Sequence, residues 1–132
     1  MIDNGEVVIG SKQLDDVFVA RIEGCRALFD DRIIRTVREK FSRLASTPRE
    51  RWLLIDFRDV TQFGSALLAV LIELAAAIQG KGGNLALCGL GTHLERVFHV
   101  TKLDQKFSLY PDEASALRSL RQPEPELATG RG

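Results

Sequence analysis

The densest apolar stretch of the chain runs from Leu53 to Gln79, LLIDFRDVTQFGSALLAVLIELAAAIQ, and holds two different patterns joined by a short polar turn. Leu53, Leu54 and Ile55 follow Trp52 without a polar interruption, the pattern of a strand covered on both faces of a largely parallel sheet. Asp56 ends that run. From Ala66 onward nearly every position is apolar, with Glu73 and then Gln79 as the main interruptions. This predicts a helix buried around most of its circumference. Ser65 falls at the junction, on the first turn of the helix or as its cap.

The remaining elements follow from period and punctuation. Glu6 to Lys12 and Val17 to Ile22 are rich in Val and Ile and are separated by a turn at 14–16, which predicts a hairpin. Gly24 breaks the second strand. From a cap at Asp30 or Asp31, residues Ile33, Ile34, Val37, Phe41 and Leu44 recur at helical spacing, and the amphipathic helix ends before Pro48. GKGG at 80–83 stops the central helix, and Asn84 to Cys88 is the next strand. Thr92 and Glu95 stand at capping-box spacing ahead of a helix carrying Leu94, Val97 and Phe98 and ending near Lys102. Phe107 to Leu109 reads as a short edge strand, and Pro111 as the first position of a last helix through Leu117 and Leu120. Two strands followed by alternating helices and strands predict an α/β domain with a mixed sheet of four to five strands and three to four helices packed mainly on one face.

Composition narrows the function classes. At 132 residues, with 45% hydrophobic and 27% charged positions, the chain has the profile of one globular domain. Its 18 basic and 18 acidic residues cancel, so no overall field recruits nucleic acid or an anionic membrane. The central helix is shorter than the roughly 20 apolar residues needed to span a bilayer. The N-terminus carries no secretion-signal pattern, which predicts a cytoplasmic location. Cys25 and Cys88 lie far apart without a CxxC spacing and read as buried reduced thiols.

Several residues invite a chemical reading. A serine at a helix start is favoured as a cap whether or not it has another task, so Ser65 has both a structural and a functional reading. FGSAL lacks the second glycine of a nucleophile elbow, and no histidine lies near Ser65 in sequence, so a serine enzyme is disfavoured. His93 and His99 are about 240° apart around a helix and do not converge on a metal. GLG at 89–91 lacks the third glycine of a phosphate-binding fingerprint, and GKGG follows a helix instead of a strand. Both read as turns, and neither a metal nor a cofactor site emerges.

The element order and the run DFRDVTQFGSALLAVLIEL resemble the STAS family, the sulfate-transporter and anti-sigma-factor-antagonist domain. Asp56 and Val60 match the family's strand end and turn, Ser65 falls on its phosphoacceptor position and Leu68 on its helix leucine. The segment GGNLALCGLGTHLERVFHVTKLDQKFSLYPDEASAL is similar to its later strand, helix and closing helix. The likeness covers residues 5–121. Gly64 departs from the acidic residue usual before the phosphoacceptor, Ala66 from a second serine, and Leu67 and Ala69 from small helix glycines.

The resemblance implies a STAS-like domain over 1–121 and a non-catalytic bacterial-type regulator resembling anti-sigma-factor antagonists. Its partner would be an anti-sigma factor and serine kinase of the GHKL type, bound through Thr61, Gln62, Phe63, Gly64, Ser65 and Leu68 and released by phosphorylation of Ser65. A homodimer is compatible with it. The alternative is a STAS scaffold module that works in a multiprotein complex without phosphorylation, and the missing acidic residue speaks for it. Residues 122–132, with two prolines and no aromatic or β-branched apolar residue, read as a disordered tail. Deleting 122–132 is expected to leave the melting temperature within about 2 °C, well under 1 kcal/mol for a domain of this size; a fall of several degrees in a thermal melt would show that the tail docks.

Overall fold

The computed structural model describes residues 8–14, 16–24, 26–45 and 52–120. Cys25, the turn residue Asp15, Pro48 and the predicted tail lie outside them. The predicted hairpin is present as β1 (Val8–Leu14) and β2 (Val17–Glu23), paired antiparallel. A short β3 (Ala27–Leu28) leads into α1 (Asp31–Ala45). There Asp30 is the cap, its Oδ1 accepting the Arg32 N–H at 2.7 Å.

Next come β4 (Trp52–Asp56), a short β5 (Gln62–Phe63) and α2 (Ser65–Gln79). They are followed by β6 (Asn84–Cys88), α3 (Thr92–Val100), a 3-10 turn at Leu103–Gln105, β7 (Ser108–Tyr110) and α4 (Glu113–Leu120). The main sheet has five strands in the order β1-β2-β4-β6-β7, parallel from β2 onward, and β3 pairs with β5 in a second, two-stranded sheet.

Alternation along the strands divides the core in two. Ala20, Ile22, Leu53, Ile55, Leu85 and Leu87 face α1, α2 and α3, where Ile34, Val37, Phe41, Leu67, Leu71, Leu74, Leu94 and Phe98 complete the larger cluster. Val17, Val19, Leu54, Ala86 and Cys88 face the other way, onto Ala116, Leu117 and Leu120 of α4. Three helices thus cover one face and one helix the other. Strand β4 is buried on both sides, as its unbroken apolar run predicts.

Three local expectations are corrected. α2 exposes a full stripe, with Ser65, Ala66, Ala69, Ile72, Glu73 and Ala76 accessible, because one side packs on the sheet, where alanine and isoleucine alone do not dictate burial. Glu73 pairs with Arg38 of α1 at 2.6 Å across two exposed side chains. Thr92 makes no capping bond; Gly91, extended at ψ 170°, is the cap and Thr92 already lies inside α3. Pro111 precedes the last helix, whose cap is Asp112, with Oδ1 accepting the Ser115 N–H at 2.8 Å. This bond and the Ser115 hydroxyl hold the Asp112 carboxyl below its ordinary value.

Leu54 is fully buried between β2, β6 and α4. Leu54→Ala is expected to cost about 2–5 kcal/mol in urea unfolding, and a change below about 1 kcal/mol, the range of surface substitutions, would contradict the two-sided burial of β4.

Candidate functional site

The site is built where β4 leaves the sheet. The Asp56 side chain is buried, and its Oδ1 accepts the Arg58 N–H at 2.9 Å, a local turn that only a short acceptor side chain can form. Phe57 N–H donates to the Cys88 carbonyl at 2.9 Å, and Val60 N–H to the Phe57 carbonyl at 2.8 Å. Gly89 makes this packing possible. It has φ +76°, and a Cβ there would sit 2.7 Å from Asp56 Oδ1 and 2.8 Å from the Arg58 nitrogen. GLG is therefore a close-packed turn, as predicted, and its first glycine is fixed by Asp56.

The chain then runs beside β3. Thr61 and Gln62 N–H groups both donate to the Arg26 carbonyl, at 2.8 and 3.1 Å, and the register sets Leu28 against Phe63. Phe63 is buried within a row of rings, between Phe57 and Phe98: Phe57–Phe63 centroids are 5.7 Å apart, Phe63–Phe98 6.1 Å and Phe98–Phe107 5.8 Å. Aromatic pairs in this range contribute beyond their buried area. Phe63 thus anchors the turn in the core and has little surface to offer. Thr61, Gln62 and Ser65 are exposed, Gly64 and Leu68 half-buried.

Ser65 is the first residue of α2. Gly64 is the cap, and no side chain caps the helix, so the capping reading of Ser65 is not realised and the residue is exposed. The Gly64 carbonyl accepts the Leu67 and Leu68 N–H groups at 3.1 and 3.3 Å. The first-turn amides of a helix have no intrahelical acceptor and, with the macrodipole, favour an anion at this end. No residue from Val60 to Ile72 carries a charge.

The family model described as the STAS domain matches residues 11–116, most of the chain. The chain belongs to the STAS family. Among solved structures, it is similar to an anti-sigma factor antagonist from Mycobacterium paratuberculosis at 22% identity and TM-score 0.76, covering 92% of this chain and 100% of that one. An anti-sigma-factor antagonist STAS domain protein from Planctomyces limnophilus matches at 22% identity and TM-score 0.75, over 86% and 98%. The Bacillus cell fate determinant SpoIIAA in its phosphorylated form matches at 15% identity and TM-score 0.65, over 86% and 100%.

Within this STAS domain one neighbour of Ser65 was not apparent from sequence. Phe29 is 54% exposed, and its ring lies against Gly64: a Cβ at 64 would meet Cδ1 and Cε1 at 3.2 Å. The β3–β5 register places it there, one step past Leu28–Phe63. Phe29, Thr61, Gln62, Phe63, His93 and Leu94 line a shallow cleft of about 380 Å³ beside Ser65. His99 lies elsewhere, its Nδ1 2.9 Å from Asp104 Oδ2, so the two histidines do not converge. Among the described residues no three His, Cys, Asp or Glu side chains gather as metal ligands.

Gly64→Ala is expected to displace the Phe29 ring at an added cost of about 0.5–1.5 kcal/mol, the range for an off-rotamer side chain. That part should vanish in a Phe29→Ala background. A double-mutant cycle in urea unfolding measures it, and strict additivity would mean the ring does not sit over Gly64.

Proposed function

We propose that this STAS domain is a non-catalytic signalling regulator that binds a serine kinase acting as an anti-sigma factor and is released by phosphorylation of Ser65. The observation that carries this reading is the position of Ser65: an exposed, uncapping hydroxyl on the first residue of α2, at the end of a turn fixed by Asp56, Phe63 and the Arg26 carbonyl. The phosphorylated form of one similar protein supports the same chemistry. A phosphate of about −1.5 to −2 charge at this end of a helix is tolerated by the fold. The partner would have to desolvate that charge against an otherwise uncharged surface running from Val60 to Ile72, which opposes binding.

The contact surface is Thr61, Gln62, Ser65 and the outward stripe of Ala66, Ala69 and Ile72, with Gly64 and Leu68 partly accessible between them. Phe63 holds this surface in place. Among the described residues no helix is long and apolar enough to cross a membrane, consistent with a regulator that acts in the cytoplasm. The domain is taken to end at residue 121, with 122–132 outside it.

Gly64 under Phe29 favours a second reading, a STAS scaffold module in a multiprotein complex. This pair puts an aromatic ring where the family's usual acidic side chain would meet a kinase. Calorimetry of the partner recovered from native lysate separates the two. Ser65→Asp is expected to weaken binding at least about tenfold, roughly 1.4 kcal/mol, while Ser65→Ala keeps affinity within about threefold, and circular dichroism shows both folded. Equal affinity for wild type and both variants would remove Ser65 as the switch and leave the scaffold.

A further inference from the structure

The two edges of the main sheet differ in kind. β7 has three residues, too short a row to template pairing with another chain. β1 has seven, VIGSKQL, and all seven pair with β2 in one unbroken register from Val8↔Glu23 to Leu14↔Val17. Among the described residues no strand lies on its other side. An open edge presents unpaired N–H and C=O groups, and proteins blunt it with proline, a bulge, a covering helix or loop, or an exposed charge such as lysine.

β1 lacks these protections. It holds no proline, and its register shows no bulge. Its one charged side chain, Lys12, is tied back across the sheet, with Nζ 2.5 Å from Oε2 of Glu113 on α4. Ile9 packs on the larger cluster and Leu14 on the smaller, so by alternation Ser11 and Gln13 share the α1 face and Val8, Gly10 and Lys12 the α4 face. Ser11 and Gln13 are exposed, so α1 does not cover this edge. Val8 is 54% exposed, an apolar side chain that the fold leaves open. We propose that β1 is a self-association edge, pairing antiparallel with β1 of a second copy across a two-fold axis and joining the two five-stranded sheets into one.

A second copy is the occupant that this strand's sequence fits. When two identical strands pair about an axis normal to the sheet, the residue on the axis fixes every other pair. The register that uses the whole strand is centred on Ser11. It sets Val8 opposite Leu14 of the second copy, Ile9 opposite Gln13, Gly10 opposite Lys12 and Ser11 opposite its own counterpart. At both ends of the interface the exposed valine gains a half-buried leucine on the α4 face, and on the axis two hydroxyls meet, both favourable kinds of cross-strand pair. Lys12 meets a glycine, which leaves its side chain room to stay on Glu113. Neighbouring registers are worse. Centring on Lys12 sets two like charges directly opposite each other, and centring on Gly10 pairs only Val8 to Lys12 and leaves Leu14 without a partner.

An axis normal to the sheet keeps each face on its own side. Both copies then carry α1, α2 and α3 on the same side of the joined sheet, and with them both Ser65 turns. The association rests on β1 alone and stands whether or not Ser65 is a switch.

Sedimentation of the full chain from micromolar to millimolar concentration tests the association, and cysteine pairing tests its register. The wild type should pass from one chain to two. Ser11→Asp, which sets two like charges on the axis at an exposed position, should weaken self-association several-fold and stay folded by circular dichroism. In Ser11→Cys the substituted thiols face each other with Cα atoms about 4.5 or 5.5 Å apart, within the roughly 4.4–6.8 Å that a disulfide spans. Gln13→Cys sets them four residues out of step, more than about 13 Å apart. Under mild oxidation a non-reducing gel should therefore show covalent dimer for Ser11→Cys, and only the background of Cys25 and Cys88 for Gln13→Cys and the wild type. A wild type that stays a single chain at every concentration would overturn the proposal, even if Ser11→Asp does not fold. So would equal cross-linking of the two cysteine variants, a folded Ser11→Asp variant that associates as the wild type does, or an assembly that grows beyond two chains, since two-fold pairing closes on itself.

Discussion

The burial of β4 on both faces is the constraint on which the other features depend. Leu53 and Ile55 are covered by α1, α2 and α3, and Leu54 by α4, so the strand can be neither an edge nor shifted in register by one residue without exposing apolar side chains. Where the strand ends, the chain has to leave a covered sheet, and the buried Asp56 carboxylate binds the first free N–H of the exit. Gly89 on the neighbouring crossover gives it room. From there the path to Ser65 is held by backbone bonds to Arg26 and by the Phe63 ring, so an exposed hydroxyl comes to rest on a rigid base.

The parts of this fold that were legible in the sequence are those encoded by burial over several residues. The unbroken run at 52–55, the three- and four-residue spacing of α1 and the apolar strand at 84–88 each place many side chains by one rule, and all three appear where predicted. Single-residue rules were less secure. Thr92 and Pro111 are good helix-start residues, but a cap is chosen by backbone geometry, and Gly91 and Asp112 adopt it. The exposed stripe of α2 was missed because alanine reads as apolar while losing little when exposed.

The candidate site was partly legible for the same reason. Ser65 and the turn before it stand between two strong patterns, so their position follows from their neighbours. Phe29 was missed because β3 and β5 have two residues each, too short for any period to show. The pairing of Leu28 with Phe63, which sets Phe29 over Gly64, is a long-range fact. A lone aromatic between a strand-breaking glycine and the acidic cap of α1 was the available signal. The ion-pair cluster on the second face was hidden in another way, since Glu113 reaches the Arg21 and Arg58 guanidiniums beside Asp56 only through the packing of α4 there.

These relations give the proposed switch a physical form: a fixed turn, an uncharged contact surface and one hydroxyl at a helix end where a phosphate harms the fold little and an interface greatly. The most direct measurement is phosphosite mapping by mass spectrometry of the protein purified from its native cells, divided into partner-bound and free pools. The account predicts phosphate on Ser65 in the free pool and its absence from the bound pool. Equal phosphate on Ser65 in both pools, or a free pool without phosphate at that residue, would contradict it.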